Sequence, residues 1–521
     1  MKTGGLRTAS RLTITALAVA GLTLVGGAGG AVPAQSAQPS IRVASGWTAP
    51  NGDKNNTRHV LGPINSHNVN RLSVAWTVPI QQATTDWPGN DAATPVVVDG
   101  VAYTQDLNSN VYAIDLHSGK LLWTKLYTDH SAGPNGVNVA DGKVFGATES
   151  SVFALDARTG TQLWSKTITQ TSGEGVDMAP GVNDGTVYVS TVAGNNVSFD
   201  EGNGKGVLWA LDEATGRTKW TWQQVPTALW GNTTLNSGGG MWGPPSFDAN
   251  GDLYVSVGNP GPFIGTSLYP WGASRPGPNL YTNSIVKLSA KTGRMLWYNQ
   301  VEPHDVFDWD LNITPVLTTV DHRPVALVAG KMGDVFEFDS VTGHLLWKTP
   351  VGVHNGHDQD NLFAMRGQTS KLPQFPFTVF PGVLGGVMSQ LAIDGTTAYA
   401  AVSDSGVTWL NQTDLQLPSL DSGTGELVAL DLETGRIKWS LPLPSSAYGA
   451  ASVVNDLVFT TTFDGTVYAV NTRTGKVAWQ AKLPAHANSP VAINGRYVLA
   501  AGGWPMASNE TAQIVAYRLG D

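Results

Sequence analysis

The chain has 521 residues, 14% of them charged, with a net charge of −9, 41% hydrophobic residues, 60 Gly, 18 Trp and no Cys. Its apolar share allows a large core and excludes a disordered chain, and its negative charge argues against non-specific nucleic-acid binding. Without Cys there are no disulfides, thiolate metal sites, c-type haem attachment sites or Cys-linked lipid anchors.

The chain opens with a basic stretch, Lys2, Arg7 and Arg11, followed by a short apolar run at 12–25 and a cleavage-like Val32-Pro33-Ala34. Residues 1–34 are expected to be a signal peptide and 35–59 an N-terminal extension of an exported, soluble protein. No later run reaches the roughly 18 apolar residues that a membrane span needs.

From residue 60 onward a repeat organises the sequence. Val111-Tyr112-Ala113-Ile114-Asp115 leads through Ser118-Gly119 to Trp123, and Val152-Phe153-Ala154-Leu155-Asp156 leads through Thr159-Gly160 to Trp164. The pattern returns at 208–220, 286–297, 335–347, 427–439 and 467–479, with Ser289 in place of the Asp in the fourth copy. In the other copies an Asp or Asn side chain caps the turn, and Gly supplies the positive φ that reverses the chain. An eighth copy is split: Ile514-Val515-Ala516-Tyr517 matches the first strand of the unit and Leu72-Ser73-Val74-Ala75-Trp76 the closing one. The expected fold is therefore all-β, an eight-bladed propeller spanning 60–521. Its blades have four strands each, Trp docks between them, and the terminal strands close the ring and remove exposed edges. The Trp spacing widens to 77 residues between Trp220 and Trp297 and to 92 between Trp347 and Trp439. Those intervals hold the long loops 258–279, 354–386 and 408–423, where binding and chemistry are expected.

Three segments around the fourth repeat carry a resemblance: Ser256-Val257-Gly258-Asn259-Pro260-Gly261-Pro262, Arg275-Pro276-Gly277-Pro278-Asn279 and Pro303-His304-Asp305-Val306-Phe307-Asp308-Trp309-Asp310. With the repeats, they resemble the quinoprotein alcohol dehydrogenases, propellers that hold pyrroloquinoline quinone (PQQ) on their axis. The resemblance implies that Asn259 is an amide ligand of a catalytic metal, Ca²⁺ or a lanthanide. It implies that Asp308 is the catalytic carboxylate beside the metal and Asp310 the further ligand of the lanthanide-using branch. Trp242, in Met241-Trp242-Gly243, would form the floor under the quinone. Lys331, in Gly330-Lys331-Met332-Gly333, would bond the reactive carbonyl. Hard cations take oxygen ligands and polarise carbonyls, a carboxylate accepts an alcohol proton, and an ammonium stabilises charge growing on oxygen.

Other positions depart from the family. Asn195 stands at the family's metal-binding Glu, with Asp200 and Glu201 nearby as alternatives. Asn135 stands at the Arg that pairs with a quinone carboxylate, Ala92 at an N-terminal Glu, and Asp177 at a usual hydroxyl position. The expected function is a secreted, PQQ- and metal-dependent dehydrogenase oxidising an alcohol or sugar hydroxyl, with electrons leaving to a separate acceptor. The alternative is a non-catalytic propeller, a binding scaffold or an enzyme relic. The loop His354-Asn355-Gly356-His357-Asp358 reads as a solvated polar loop, with metal binding as its other reading.

Overall fold

The computed structural model describes residues 46–80, 89–131, 133–193, 204–226, 230–231 and 234–520. The expected signal peptide, 1–34, lies outside the described residues. Those residues form a propeller-like, all-β array of seven antiparallel four-stranded sheets and one five-stranded sheet, in which His59–Val60 adds a parallel strand beside Ser452–Val454, with three smaller sheets in the loops. A short α-helix, Asp360–Met365, sits in one of the long loops. Among the described residues no helix is long and apolar enough to cross a membrane.

The second sheet shows how the repeat becomes structure. Its strands Asn138–Ala140, Lys143–Ala147, Ser151–Asp156 and Gln162–Thr167 pair in sequence order. Val152, Phe153, Ala154 and Leu155 are all fully buried, because an inner strand packs on neighbours on both faces and reads as a continuous apolar run. The outermost strand, Gln162–Thr167, alternates between exposed and half-buried, as a one-sided strand must. Between these two strands, Asp156 Oδ1 accepts hydrogen bonds from the Thr159 backbone N and hydroxyl, both at 2.8 Å. Gly160 then turns the chain at φ +70.

The conserved shape of the repeat has a second cause, seen only between sheets. Seven Trp side chains donate their indole N–H to a carbonyl in the turn of the following sheet. Trp76 reaches Leu116 O at 2.8 Å, Trp164 reaches Glu213 O at 2.9 Å, and Trp439 reaches Thr472 O at 2.8 Å. Each ring lies against the turn glycine of that sheet. A Cβ on Gly216, at φ +69, would stand 2.7 Å from the Trp164 ring. Gly216→Ala is therefore expected to cost about 1–3 kcal/mol, from left-handed backbone and ring displacement together, and urea unfolding would measure it.

The eighth sheet joins the two ends of the chain. Gln513–Leu519 lies between Tyr497–Gly502 and the N-terminal strand Leu72–Pro79, with Leu72 opposite Leu519 and Pro79 opposite Gln513. Residues further upstream are bound into the array as well. Val97 N donates to Trp47 O, Phe247 N to Lys54 O, Leu317 N to Asn55 O, Ile393 N to Thr57 O and Val453 N to Arg58 O, over 2.7–3.2 Å. These donors sit in or beside the first strands of five different sheets. The described part of the expected extension, 46–59, thus crosses from sheet to sheet along their first strands.

One acidic side chain is buried inside a sheet, on the strand Asp334–Asp339. Glu337 is fully buried, and its nearest cation, Arg323, is 4.0 Å away. Burial pushes its carboxyl up to about 7, with Arg323 opposing. A carboxyl raised above its unfolded value contributes stability at low pH that is lost as pH rises through the folded value. Glu337→Gln is expected to stabilise the protein by about 2–3 kcal/mol at pH 8 and by almost nothing near pH 4. Chemical unfolding at the two pH values would measure the difference.

Candidate active site

Three segments bring the sequence-predicted residues Asn259, Asp308, Asp310 and Lys331 together. Asn259 follows the strand Leu253–Val257, Lys331 follows Arg323–Ala329, and the two Asp lie in the connection from Met295–Gln300 to Val316–Val320. Glycines permit the approach: a Cβ on Gly258 would meet Asp310 Oδ1 at 2.7 Å, and one on Gly330 would clash with the Asp310 carbonyl.

Asp305 shapes the connection. Its two oxygens accept hydrogen bonds from Phe307 N at 2.8 Å and Trp309 N at 2.7 Å, an Asx-type turn that places Asp308 at φ +63. The fully buried Arg275 donates to the Asp305 carbonyl at 2.7 Å and to Pro262 and Phe263 carbonyls. The Trp309 indole donates to Pro381 O at 2.9 Å. The Arg-Pro-Gly-Pro-Asn and Asn-Pro-Gly-Pro segments are therefore scaffolding for the acidic turn.

At the centre, the Lys331 ammonium lies 2.8 Å from both Asp308 Oδ2 and Asp310 Oδ2. Asn259 donates from Nδ2 to Asp308 Oδ1 and from its backbone N to Asp310 Oδ1, each at 2.8 Å. Burial pushes the Asp308 carboxyl up to about 8; Lys331 opposes and Asp310 adds. Burial pulls the Lys331 ammonium down, but the two carboxylates outweigh it and the net shift is upward. One ammonium against two carboxylates leaves a shortfall of positive charge, and a carboxyl poised near neutrality suits proton transfer. The donor atoms, two carboxylates and an amide, are the hard oxygens that Ca²⁺ or a lanthanide would take. Among the described residues no group of three or more His, Cys, Asp or Glu is placed to hold a metal ion.

Trp242 links this cluster to a cavity of about 180 Å³ that opens to solvent. The Lys331 ammonium stands 4.8 Å from the Trp242 ring centroid, and Trp242 forms part of the cavity wall with Ala92, Asn135, Asp177, Tyr448 and Trp504. Asn135 donates its Nδ2 to Asp106 O at 2.8 Å and its backbone N to Asp177 O at 2.9 Å. Its buried Oδ1 has no described partner, and the same holds for Asn312 Oδ1 and Ser389 Oγ in the same wall. Asn195, Asp200 and Glu201 lie outside the described residues. The polar loop resolves into local pairs, His354 with Asp358 and His357 with Asp360, each at 2.7 Å.

Several wall residues had no signal in the sequence. Asn51, Thr94, Asn312, Tyr448 and Trp504 come from five separate stretches of the chain, and only the closing of the sheets on one another puts them side by side.

Residues 47–351 match the family described as glucose/ethanol/alcohol dehydrogenase, beta-propeller domain, and residues 400–519 match that described as outer membrane protein assembly factor BamB. The chain is 28% identical to the quinohemoprotein alcohol dehydrogenase of Comamonas testosteroni over 355 residues, 60% of this chain and 48% of that protein. This match spans about half the length of that relative. The chain is 27% identical to the putative dehydrogenase XoxF of Paracoccus denitrificans over 500 residues, 81% of this chain and 80% of that one. Among solved structures, the Comamonas enzyme superposes with a TM-score of 0.76 at 24% identity, covering 91% of this chain and 81% of that one. A europium-containing methanol dehydrogenase superposes with a TM-score of 0.75 at 20% identity, covering 91% and 98%. At these identities the structural likeness establishes the fold.

Proposed function

Because the chain belongs to the PQQ-dependent glucose/ethanol/alcohol dehydrogenase β-propeller family, we propose that it is an exported dehydrogenase that uses PQQ and a hard cation to oxidise an alcohol or sugar hydroxyl. Its eight larger sheets, seven of four strands and one of five, are read as eight blades, with the Leu72–Pro79 and Gln513–Leu519 pairing closing the ring. Export rests on the basic and apolar start of the chain. A separate electron acceptor rests on the lack of Cys, which excludes c-type haem attachment here.

The observation that carries the reading is the Asn259, Asp308, Asp310 and Lys331 cluster set against Trp242. The residues fit the cofactor pair: the cavity opens beside Trp242, Trp242 offers a flat face, and the clustered oxygens suit a hard cation. Trp242 would carry the ring, Lys331 its reactive-carbonyl edge, and Asn259, Asp308 and Asp310 the Ca²⁺ or lanthanide; bound, the pair supplies a two-electron acceptor and a Lewis acid. Asp308 accepts the proton of the substrate hydroxyl at a carboxylate oxygen. Lys331 keeps that carboxylate oriented and supplies positive charge where oxygen gains electrons. Burial of both groups excludes water and strengthens each interaction.

The competing reading, a binding scaffold, draws on the cavity wall. None of the described residues lining it is Lys or Arg. Titrating the purified protein with PQQ, with and without Ca²⁺ or a lanthanide, tests both readings. The expected result is saturable quenching of Trp fluorescence that a metal strengthens, together with dye-linked oxidation of alcohols. Absence of both binding and oxidation overturns the dehydrogenase reading.

A further inference from the structure

A wall without cations is a difficulty for a ligand bearing three carboxylates, and the structure holds an answer one layer behind it. Arg58 is fully buried, yet all five of its N–H groups go to uncharged acceptors. Nε donates to Ala451 O at 2.7 Å; one terminal nitrogen donates to Asn51 Oδ1 at 2.8 Å and Thr94 Oγ1 at 3.3 Å; the other donates to Ser452 Oγ at 2.8 Å and Val491 O at 3.1 Å. The remaining contact is the face of Trp47, 4.8 Å from the guanidinium carbon. Burial lowers its pKa only to about 9, and no carboxylate enters among the causes, so the group stays charged at neutral pH.

A buried charge is normally paired with one of opposite sign, and Arg58 has none among the described residues. Two of its acceptors, Asn51 and Thr94, are themselves cavity wall. Thr94 Oγ1 receives a hydrogen bond from the guanidinium, and no described residue accepts the Thr94 hydroxyl proton. That proton is available to a ligand, and a donor polarised by a cation behind it bonds an anion more strongly. The nearest acidic neighbour in sequence does not compete. Asp91 is buried, which pushes its carboxyl up to about 8, and that carboxyl is already engaged, accepting hydrogen bonds from Ser489 Oγ at 2.8 Å and Ala93 N at 3.2 Å. The described wall also carries one carboxylate, Asp177.

We propose that Thr94, polarised from behind by Arg58, forms an anion subsite of the cavity that takes a carboxylate of a flat aromatic ligand. Arg58 acts there as a positioning residue; Thr94 makes the contact. The inference rests on the reading of the cavity as the cofactor site, and it accounts for anionic anchoring despite Asn135 and Ala92. PQQ and any other aromatic polycarboxylate share the recognised chemistry.

The test is binding followed by Trp fluorescence and calorimetry on the full-length mature protein, with no turnover needed. The probes are PQQ, its trimethyl ester (same rings, no carboxylate charge) and pyridine-2,3-dicarboxylate. Wild type is expected to prefer PQQ to the ester by tenfold or more. Thr94→Val, a volume-conserving change, should weaken PQQ roughly tenfold and leave the ester unchanged. Arg58→Lys, which keeps the charge with fewer bonds, should fall between the two. Equal affinity for PQQ and ester in wild type, or no effect of Thr94→Val, overturns the subsite and leaves the cofactor reading standing. Thr94-dependent binding of the dicarboxylate with no binding of PQQ supports the subsite and overturns the cofactor reading. Failure of all three probes to bind overturns both.

Discussion

Replacing Asp308 with Asn is expected to lower kcat for dye-linked alcohol oxidation about 10³-fold in protein loaded with PQQ and metal, within the range seen when a general base is removed. The substitution is nearly isosteric. The Lys331 ammonium, now 2.8 Å from Asp308 Oδ2, keeps its bond if the amide oxygen takes that position, while Asn259 Nδ2, now 2.8 Å from Oδ1, loses its acceptor; the shape of the site is kept at the cost of that one hydrogen bond. What disappears is a carboxyl that burial places near neutrality and that can take a proton from a substrate hydroxyl. Affinity for PQQ, read by Trp fluorescence, should change far less than kcat. Turnover within tenfold of wild type would remove Asp308 from the chemistry; unchanged ligand binding with no turnover in either protein would favour a scaffold. The neighbouring Asp310→Asn change should act mainly on metal affinity. Its Oδ1 holds Asn259 N and its Oδ2 holds Lys331, and it is the carboxylate left over once Lys331 has neutralised Asp308.

Ending the chain at Ala512 is expected to abolish the folded state. The lost strand, Gln513–Leu519, is interior to the eighth sheet and pairs with both Tyr497–Gly502 and Leu72–Pro79. Ile514, Val515, Tyr517 and Leu519 are each 2–3% exposed. Burying four such side chains is worth about 8 kcal/mol at roughly 2 kcal/mol each, comparable to the whole stability of an ordinary domain. The deletion also leaves two unpaired strand edges, which promote aggregation. Soluble yield and binding of a hydrophobic dye, compared with a variant lacking Asp521 alone, would measure the effect. A cooperative melt within a few degrees of wild type would show that this sheet is not a joint between the chain ends.

The parts of the fold that were legible in the sequence are those whose cause is local. Asp156, Thr159 and Gly160 make their turn within five residues, and the apolar run Val152 to Leu155 declares a strand covered on both faces. Sequence spacing could likewise place Asp308 and Asp310 near one another. It could not place Lys331 between them, because that contact is made across a sheet junction and depends on Gly258 and Gly330 leaving room. Residues 46–59 looked like an extension because they lack any period. Their order comes from single hydrogen bonds to five sheets, a pattern with no footprint in neighbouring residues.

By itself the sequence determined the repeat unit, the all-β class, the family resemblance and the identity of the acidic cluster, since turn chemistry, strand alternation and short motifs act over a few residues. Only the tertiary structure decided the charge balance at Lys331, the walls of the cavity and the isolation of Arg58 from any carboxylate. Those properties depend on which groups lie within a few ångströms after burial, and groups as far apart in the chain as Arg58 and Val491 become neighbours only when the sheets assemble.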